Sequence, residues 1–563
     1  VGLKHILAFV VAVATVPGLS STPTAQAQSP DVVLLNGRIL TVDREFSIRE
    51  AMAIRGGRVT AIGATATVRK LADSKTRVID LQGRTVIPGL IDSHLHAIRA
   101  ALSFGTEVNW IGARSLAEAL DRIKTAARTM KPGAWLIVAG GWNAQQFKEN
   151  RRPTQAELVA AAPDNPVYVQ LGYGWAMMTP AALKTLKITS DGDLPRNAKL
   201  ERDANGNSTG AIVGNNDAIV ALFDRLPKPT FDEQVDGTRK FFSELNRLGI
   251  TGVMDPGGNN LSPSDYQALF KVWRQGEMTL RVAYSLCGQT SGSEFEELKA
   301  LTALLPMRFG DDMLRFVGLG ERVTIAMNNN DRPTETDKEK YYEILRWAAG
   351  RGMAVTMHWP RDASVGQLLT IFERVNAEVP IGELRWSIAH LNDASADSLQ
   401  RMKALGVGWT VQDAMYFGGE QFQQQAGRDA ARRAPPVQTA KRIGVVVGAG
   451  TDAHRVASYN PFTALQWFLD GKTVSGLALR GPEETPDRAD ALRLYTMGSA
   501  WFSHDDHLRG SLEVGKLADL AVLTKDYMTV PVDQVGEIES VLTMVGGRIV
   551  YAAGPYRQLA TPH

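Results

Sequence analysis

A chain of 563 residues and 61.2 kDa is too long for one small core and calls for one large α/β unit with additions, or for several domains. Its net charge of +2 offers no basic field for nucleic acid, and 44% hydrophobic with 22% charged residues is an ordinary globular make-up. The lone cysteine, Cys287, excludes an intrachain disulfide and a thiolate metal cluster, and it reads as a small buried hydrophobe.

Lys4 and His5 precede an apolar run over 6–16, and small and polar residues then lead to Ala25-Gln26-Ala27. A charged head, a hydrophobic middle and an A-x-A site mark a secretory signal at 1–27, with cleavage expected after Ala27. No other stretch reaches about 18 unbroken apolar residues. The expectation is a secreted or periplasmic protein with no membrane attachment once the signal is removed.

From 28 to 86 the texture is short β. Val32-Val33-Leu34-Leu35, then Asn36-Gly37, then Arg38-Ile39-Leu40 predicts a hairpin, because Asn-Gly between apolar runs is a strong turn signal. A second hairpin is expected around Gly56-Gly57. The same texture returns over 506–563, with strands at 518–523 and 541–545 and a turn at Gly546-Gly547. Isolated hairpins are marginal in water, so both ends are expected to join in one small composite β-sandwich.

Between them, 87–505 alternates short apolar runs with amphipathic stretches. Runs at 87–95, 250–255, 280–285, 314–319, 354–358, 385–390, 407–412 and 445–451 read as strands, and 335–351 and 364–377 as helices. Eight strand-then-helix units predict an α/β fold, a closed (β/α)8 TIM-like barrel. An insertion over about 98–230 carries its own strands and is expected to form a lobe over the barrel mouth.

Chemistry in such a barrel sits at the C-terminal strand ends. The first run ends in Asp92-Ser93-His94-Leu95-His96. In a strand, i and i+2 share a face, so the two imidazoles would aim at one point. Glu321 follows the fourth run, His358 and His390 end the fifth and sixth, and Asp452 follows the eighth. Of the remaining histidines, His5 and His563 lie at the chain ends, and His454, His504 and His507 fall in polar stretches expected to be exposed. Four imidazoles and two carboxylates suit zinc or a similar divalent ion, and suffice for one ion or for two bridged by a carboxylate. A carboxylate on the last strand could accept a water proton and pass it to a leaving nitrogen. Trp142, Trp175, Trp359 and Tyr416 are candidates to line a substrate pocket.

The sequence resembles the amidohydrolase superfamily, and within it the amidohydrolase-3 group of YtcJ-like metal-dependent hydrolases. The resemblance rests on Pro88-Gly89-Leu90-Ile91-Asp92-Ser93-His94-Leu95-His96, Gly141-Trp142-Asn143, Arg152-Pro153-Thr154, His358, His390, Gly450-Thr451-Asp452 and Gly510-Ser511-Leu512-Glu513-Val514-Gly515-Lys516-Leu517-Ala518-Asp519-Leu520. It implies a barrel with a composite sandwich and hydrolysis of non-peptide C–N bonds in a small organic substrate. An esterase or lactonase on the same site, or a binding protein that kept the barrel and lost turnover, are the alternatives. It implies His94 and His96 on one ion, His358 and His390 on a second, and Asp452 as ligand and general base. Many relatives place a carboxylated lysine on strand four. Here Arg315-Phe316-Val317-Gly318-Leu319-Gly320-Glu321 has no lysine, and Glu321 is the natural substitute bridge. Nothing in the sequence sets the oligomeric state or the substrate.

Overall fold

The computed structural model describes residues 29–258, 261–328 and 330–560. The expected signal at 1–27 lies outside the described residues, and among those described no helix is long and apolar enough to cross a membrane.

The core is an eight-stranded parallel sheet in sequential order, Leu90–Asp92, Ile250–Asp255, Arg281–Leu286, Leu314–Leu319, Ala354–Trp359, Ser387–His390, Gly408–Gln412 and Val447–Gly450. The first strand returns to the last. Ser93 N–H donates to the Ala449 carbonyl at 3.0 Å and Asp452 N–H to the His94 carbonyl at 2.8 Å, which closes the barrel at its C-terminal rim. Helices such as Glu335–Gly350 and Asp362–Glu378 cover the outside, burying Leu345, Ala348, Leu368 and Phe372 against the strands. Thr334 caps the first of these with a reciprocal Thr334–Asp337 hydrogen-bond pair.

The two chain ends meet in a six-stranded sheet that includes Arg38–Leu40, Thr85–Pro88, Leu520–Leu523, Ser540–Val545 and Arg548–Ala552. A four-stranded sheet that includes Val32–Leu35, Ala51–Arg55 and Arg77–Asp80 packs on it through Leu34, Met52 and Ile79. The insertion builds a separate five-stranded sheet that includes Leu136–Val138, Val167–Leu171 and Trp175–Met178.

Two local expectations are corrected. Asn36-Gly37 does not turn a hairpin. Val32–Leu35 pairs with Ala51–Arg55, whereas Arg38–Leu40 pairs with Thr85–Pro88, so the turn carries the chain from one sheet to the other. The run predicted as one strand over 87–95 is divided at Gly89: Thr85–Pro88 serves the sandwich and Leu90–Asp92 the barrel. A side chain at Gly89 would stand 2.2 Å from Thr251 Oγ1, so only glycine lets the chain pass there.

One buried ion pair ties sandwich to barrel. Arg281, at the start of strand three, donates through Nε and Nη2 to the two Asp519 oxygens at 2.7 and 3.0 Å, and Gly546 N–H adds a third donor to Asp519 at 2.7 Å. Both side chains are buried. Asp519→Ala would strand a desolvated guanidinium, which costs on the order of 3–5 kcal/mol. The expected outcome is a clearly lower urea midpoint by tryptophan fluorescence, and an unchanged midpoint would show the pair to be expendable.

Candidate metal centre

The six candidate donors converge at the C-terminal rim. His94 Nε2 lies 3.2 Å from Glu321 Oε2, and His96 Nε2 lies 3.3 Å from Glu321 Oε1 and 3.1 Å from Asp452 Oδ1. His358 Nδ1 is 3.2 Å and His390 Nε2 3.7 Å from Glu321 Oε2. Two groups of donors close enough to hold an ion emerge, His94, His96 and Glu321, and Glu321, His358 and His390. Glu321 is common to both.

His94 and His96 reach this point differently from the expectation. They lie past the end of Leu90–Asp92, in the turn before the helix Ala97–Phe104, so the strand pleat does not aim them. Buried hydrogen bonds do. Asp92 accepts from the His94 and Thr451 backbone N–H groups at 2.9 and 3.2 Å and from the Thr451 hydroxyl at 2.7 Å. His96 Nδ1 donates to the Gly257 carbonyl at 2.5 Å, which leaves Nε2 as its free ligand atom. Asp255, ending strand two, holds that loop by accepting from Gly257 and Ile98 N–H at 2.8 and 2.7 Å. Sequence reading passed over Asp255, although a carboxylate ending a barrel strand is itself a signal.

Glu321 is delivered by glycines. Gly318 sits at φ +135°, and a side chain on Gly320 would collide with the Pro256 carbonyl at 1.9 Å. The Glu321 N–H donates to that carbonyl at 2.9 Å, and its own carbonyl accepts from His358 N–H at 3.0 Å. His390 and Asp452 hold left-handed backbones, at φ +72° and +55°, the strained conformations that cluster at functional sites.

The donor set fits a divalent cation. His94 Nδ1 and Nε2 and His390 Nε2 are buried without a hydrogen-bond partner: these rings lie near the Glu321 oxygens but are not aligned to donate to them. Among the described residues, Glu321 and Asp452 pair only with histidines. Burial opposes ionisation of both carboxyls, but the surrounding imidazoles, His96 foremost, hold them below the usual range. Burial and the neighbouring His358 push His390 down to about 4, so it is neutral. For His94, burial is outweighed by Glu321 and Asp452, which raise its pKa, so a positive charge is favoured between these groups. Imidazoles bind metal when neutral and carboxylates when ionised, so an ion arriving here would displace the proton that Glu321 and Asp452 favour on His94.

Above the rim lies a cavity of about 410 Å³, walled by Trp142, Asn143 and Gly172 of the insertion and Phe417 and Gln421 of the helix Ala414–Ala426, and reaching Thr451 beside Asp452. Asn143 Nδ2 donates to the Phe417 carbonyl at 3.3 Å, and Gln145 Nε2 to Glu420 at 2.8 Å, so the two walls are joined. Tyr416 lines a neighbouring groove. Trp359 is not brought to either: it is buried in the core and its indole donates to Ser364 at 3.1 Å. Trp175 is buried within the insertion, with the Arg152 guanidinium 5.0 Å over its ring. His454, expected to be exposed, is buried, 3.1 Å from Glu107. His504 is half-buried and His507 is exposed.

A family model described as the amidohydrolase family matches residues 77–551. The chain is 25% identical to an N-substituted formamide deformylase of Arthrobacter pascens, over 93% of this chain and 99% of that protein. It is 24% identical to YtcJ of Bacillus subtilis (strain 168), over 92% and 98%. A crystal structure of an uncharacterized metal-dependent hydrolase from Pyrococcus horikoshii OT3 shares the fold, with a TM-score of 0.65 and 22% identity over 89% of this chain and 99% of that one.

Metal analysis of the purified protein should return a divalent transition ion, and a double replacement of His94 and His96 by Ala should remove it from that half of the cluster. Glu321→Gln should leave roughly half the metal of the parent if one carboxylate serves two ions. Full occupancy in the double variant would sink the assignment of the histidines, and an unchanged count in Glu321→Gln would sink the bridge.

Proposed function

This chain belongs to the amidohydrolase family, and from that premise we propose that it cleaves a non-peptide C–N bond of a small organic amide. The observation that carries the reading is the shared carboxylate, Glu321, between two histidine pairs, with Asp452 facing the first pair. His94, His96 and Glu321 would hold one divalent ion, and Glu321, His358 and His390 a second. Zinc suits this set of imidazole nitrogens and carboxylate oxygens. Such an ion, when bound, lowers the pKa of water and polarises a carbonyl oxygen.

The chain's own part is proton traffic and placement. Asp452 is kept ionised by the imidazoles around it, so it can take a proton from water and hold it at Oδ1. An amine leaves only if its nitrogen is protonated, and the same carboxyl can deliver that proton. A cavity of about 410 Å³ accepts a small organic molecule, with Trp142 and Phe417 as apolar surface and Asn143 and Gln145 as amide donors. The N-substituted formamide named for the Arthrobacter pascens relative is an amide of this size class and supports the choice of C–N over ester cleavage.

Export belongs to the same proposal. It is supported by the charge, apolar run and Ala25-Gln26-Ala27 at the start of the chain. The expected partner is a small-molecule substrate, with neither nucleic acid nor membrane.

Asp452→Asn keeps the shape but removes the base, and turnover should fall on the order of 10² or more. The test is steady-state rates on chromogenic amides and esters with metal-loaded parent and variant. Near-normal turnover in Asp452→Asn would remove that residue from the mechanism. Ester cleavage without amide cleavage would replace the amidase by an esterase or lactonase.

A further inference from the structure

Beside the donor cluster stands a cation that makes no direct ion pair among the described residues. Arg99 is the third residue of the helix Ala97–Phe104, whose first turn is pinned by the Ile98 N–H bond to Asp255. Its Nε is sealed from solvent without a hydrogen-bond partner, and no carboxylate of the described residues lies within ion-pair reach. Among the described residues, the fully buried arginines each bond a carboxylate or a carbonyl, although Arg480 and Arg509 also leave guanidinium nitrogens without a partner. Arg281 pairs with Asp519, Arg455 with Glu107 and Arg509 with Asp505, and Arg480 donates to the Trp467 and Phe468 carbonyls. An arginine cannot relieve the mismatch by losing its proton. A guanidinium partly withdrawn from water with no direct ion pair favours an anionic guest.

Position and shape say what kind of guest. A methyl-sized group on Gly258 would lie 3.5 Å from both Arg99 Nη1 and His96 Nδ1, so the guanidinium is little more than one small group from a candidate ligand. Arg99 opens into a cavity of about 130 Å³ whose walls include Leu102, Val220, Phe223 and Leu261, with Tyr173 of the insertion also facing it. That is close to the roughly 150 Å³ of an apolar cavity that holds one benzene ring. The other charged groups on its wall are spoken for. Arg455 is 3.0 Å from Glu107, Lys228 is 3.9 Å from Asp224, and Asp265 accepts from the Ser262 N–H and hydroxyl, each at 2.7 Å. Arg99 is thus left as a charge without a direct ion pair on an otherwise apolar pocket next to the candidate metal centre, with Glu321, Asp452 and Asp255 acting on it only at longer range.

We propose that Arg99 and this cavity form the specificity pocket of the enzyme, selecting substrates that carry a carboxylate on an apolar, ring-sized group. The planar guanidinium fork matches a carboxylate with two parallel hydrogen bonds, which a neutral amide or an ester cannot supply. The apolar walls take the ring. The proposal rests on the amide-hydrolase reading above, but pocket and chemistry can fail separately.

The test is calorimetric binding of 3-phenylpropanoate and of its neutral isostere 3-phenylpropanamide to the metal-loaded full chain. The acid should bind the parent at least about tenfold tighter than the amide, the scale of a hydrogen-bonded charge pair. Arg99→Met should erase that gap, and Arg99→Lys, which keeps the charge but loses the fork, should fall between. Equal binding of acid and amide by the parent overturns the proposal without recourse to any variant. So does an acid that binds Arg99→Met as tightly as the parent, the result expected if the carboxylate simply ligated the metal. An acid preference that depends on Arg99 in a protein that cleaves no amide would retain the anion pocket and sink the amide-hydrolase reading. Amide cleavage with no acid preference would sink the pocket alone.

Discussion

The Asp92 carboxylate at the barrel seam is the interaction on which the rest depends. It is buried where the first strand meets the last, and it accepts from the backbone of His94 on one side and from the backbone and hydroxyl of Thr451 on the other. Closing the barrel and bringing His94 next to Asp452 are therefore one event. Gly450 shows how tight the join is: a side chain there would stand 2.6 Å from the His94 nitrogen and 2.7 Å from Asp92 Oδ1. Burial pushes the Asp92 carboxyl up to about 7 against the pull of those same donors and of the nearby His94 ring, and hydrogen bonds hold its place at the seam.

The donors follow from a division of labour between strand ends and glycines. Strand five carries His358 on its penultimate residue and strand six carries His390 on its last. Strands one, four and eight end earlier, and the loops that follow place His94, His96, Glu321 and Asp452. Loops can do this with precision only when their backbone is tied down. Here Gly257, Glu321 and Asp452 each spend a backbone group on a neighbouring strand or loop. The sandwich supports the opposite face through the Arg281 and Asp519 pair, so the rim is built on a base that is itself locked.

Much of this was legible in the chain because its signals are local and rare. Histidine is scarce, with 9 in the sequence, and four of them follow apolar runs at barrel spacing. Glu321 could be read from its place after Gly318 and Gly320. The misreadings share a physical cause, which is that pairing partners far away in sequence leave no local mark. The turn at Asn36-Gly37 is real, but which sheet receives each flank is decided by residues near 52 and 86. His454 has polar neighbours in sequence, yet it is buried against Glu107, 347 positions away. Trp359 was misplaced for another reason: neighbouring strand residues face opposite ways, so a ring next to His358 turns from the rim into the core. Arg99 has no sequence signature at all, since a charge without a direct ion pair is visible only once its surroundings are known.

The seam also sets an order of events during synthesis. Asp92 and Thr451 are separated by 359 positions, and a contact of that span bears the full loop-closure entropy before it returns anything. The half of the cluster that contains His94, His96 and Asp452 cannot be assembled while the ribosome still holds the last barrel strand. His358, His390 and Glu321 lie within 70 positions of one another and can meet sooner. A chain that exists for a time with one half of its cluster and an open barrel presents an unpaired strand at each edge of the gap. Such edges invite pairing with other chains until the eighth strand arrives. Closure of the barrel is thus the point at which an open-edged intermediate becomes a finished rim for its candidate donors.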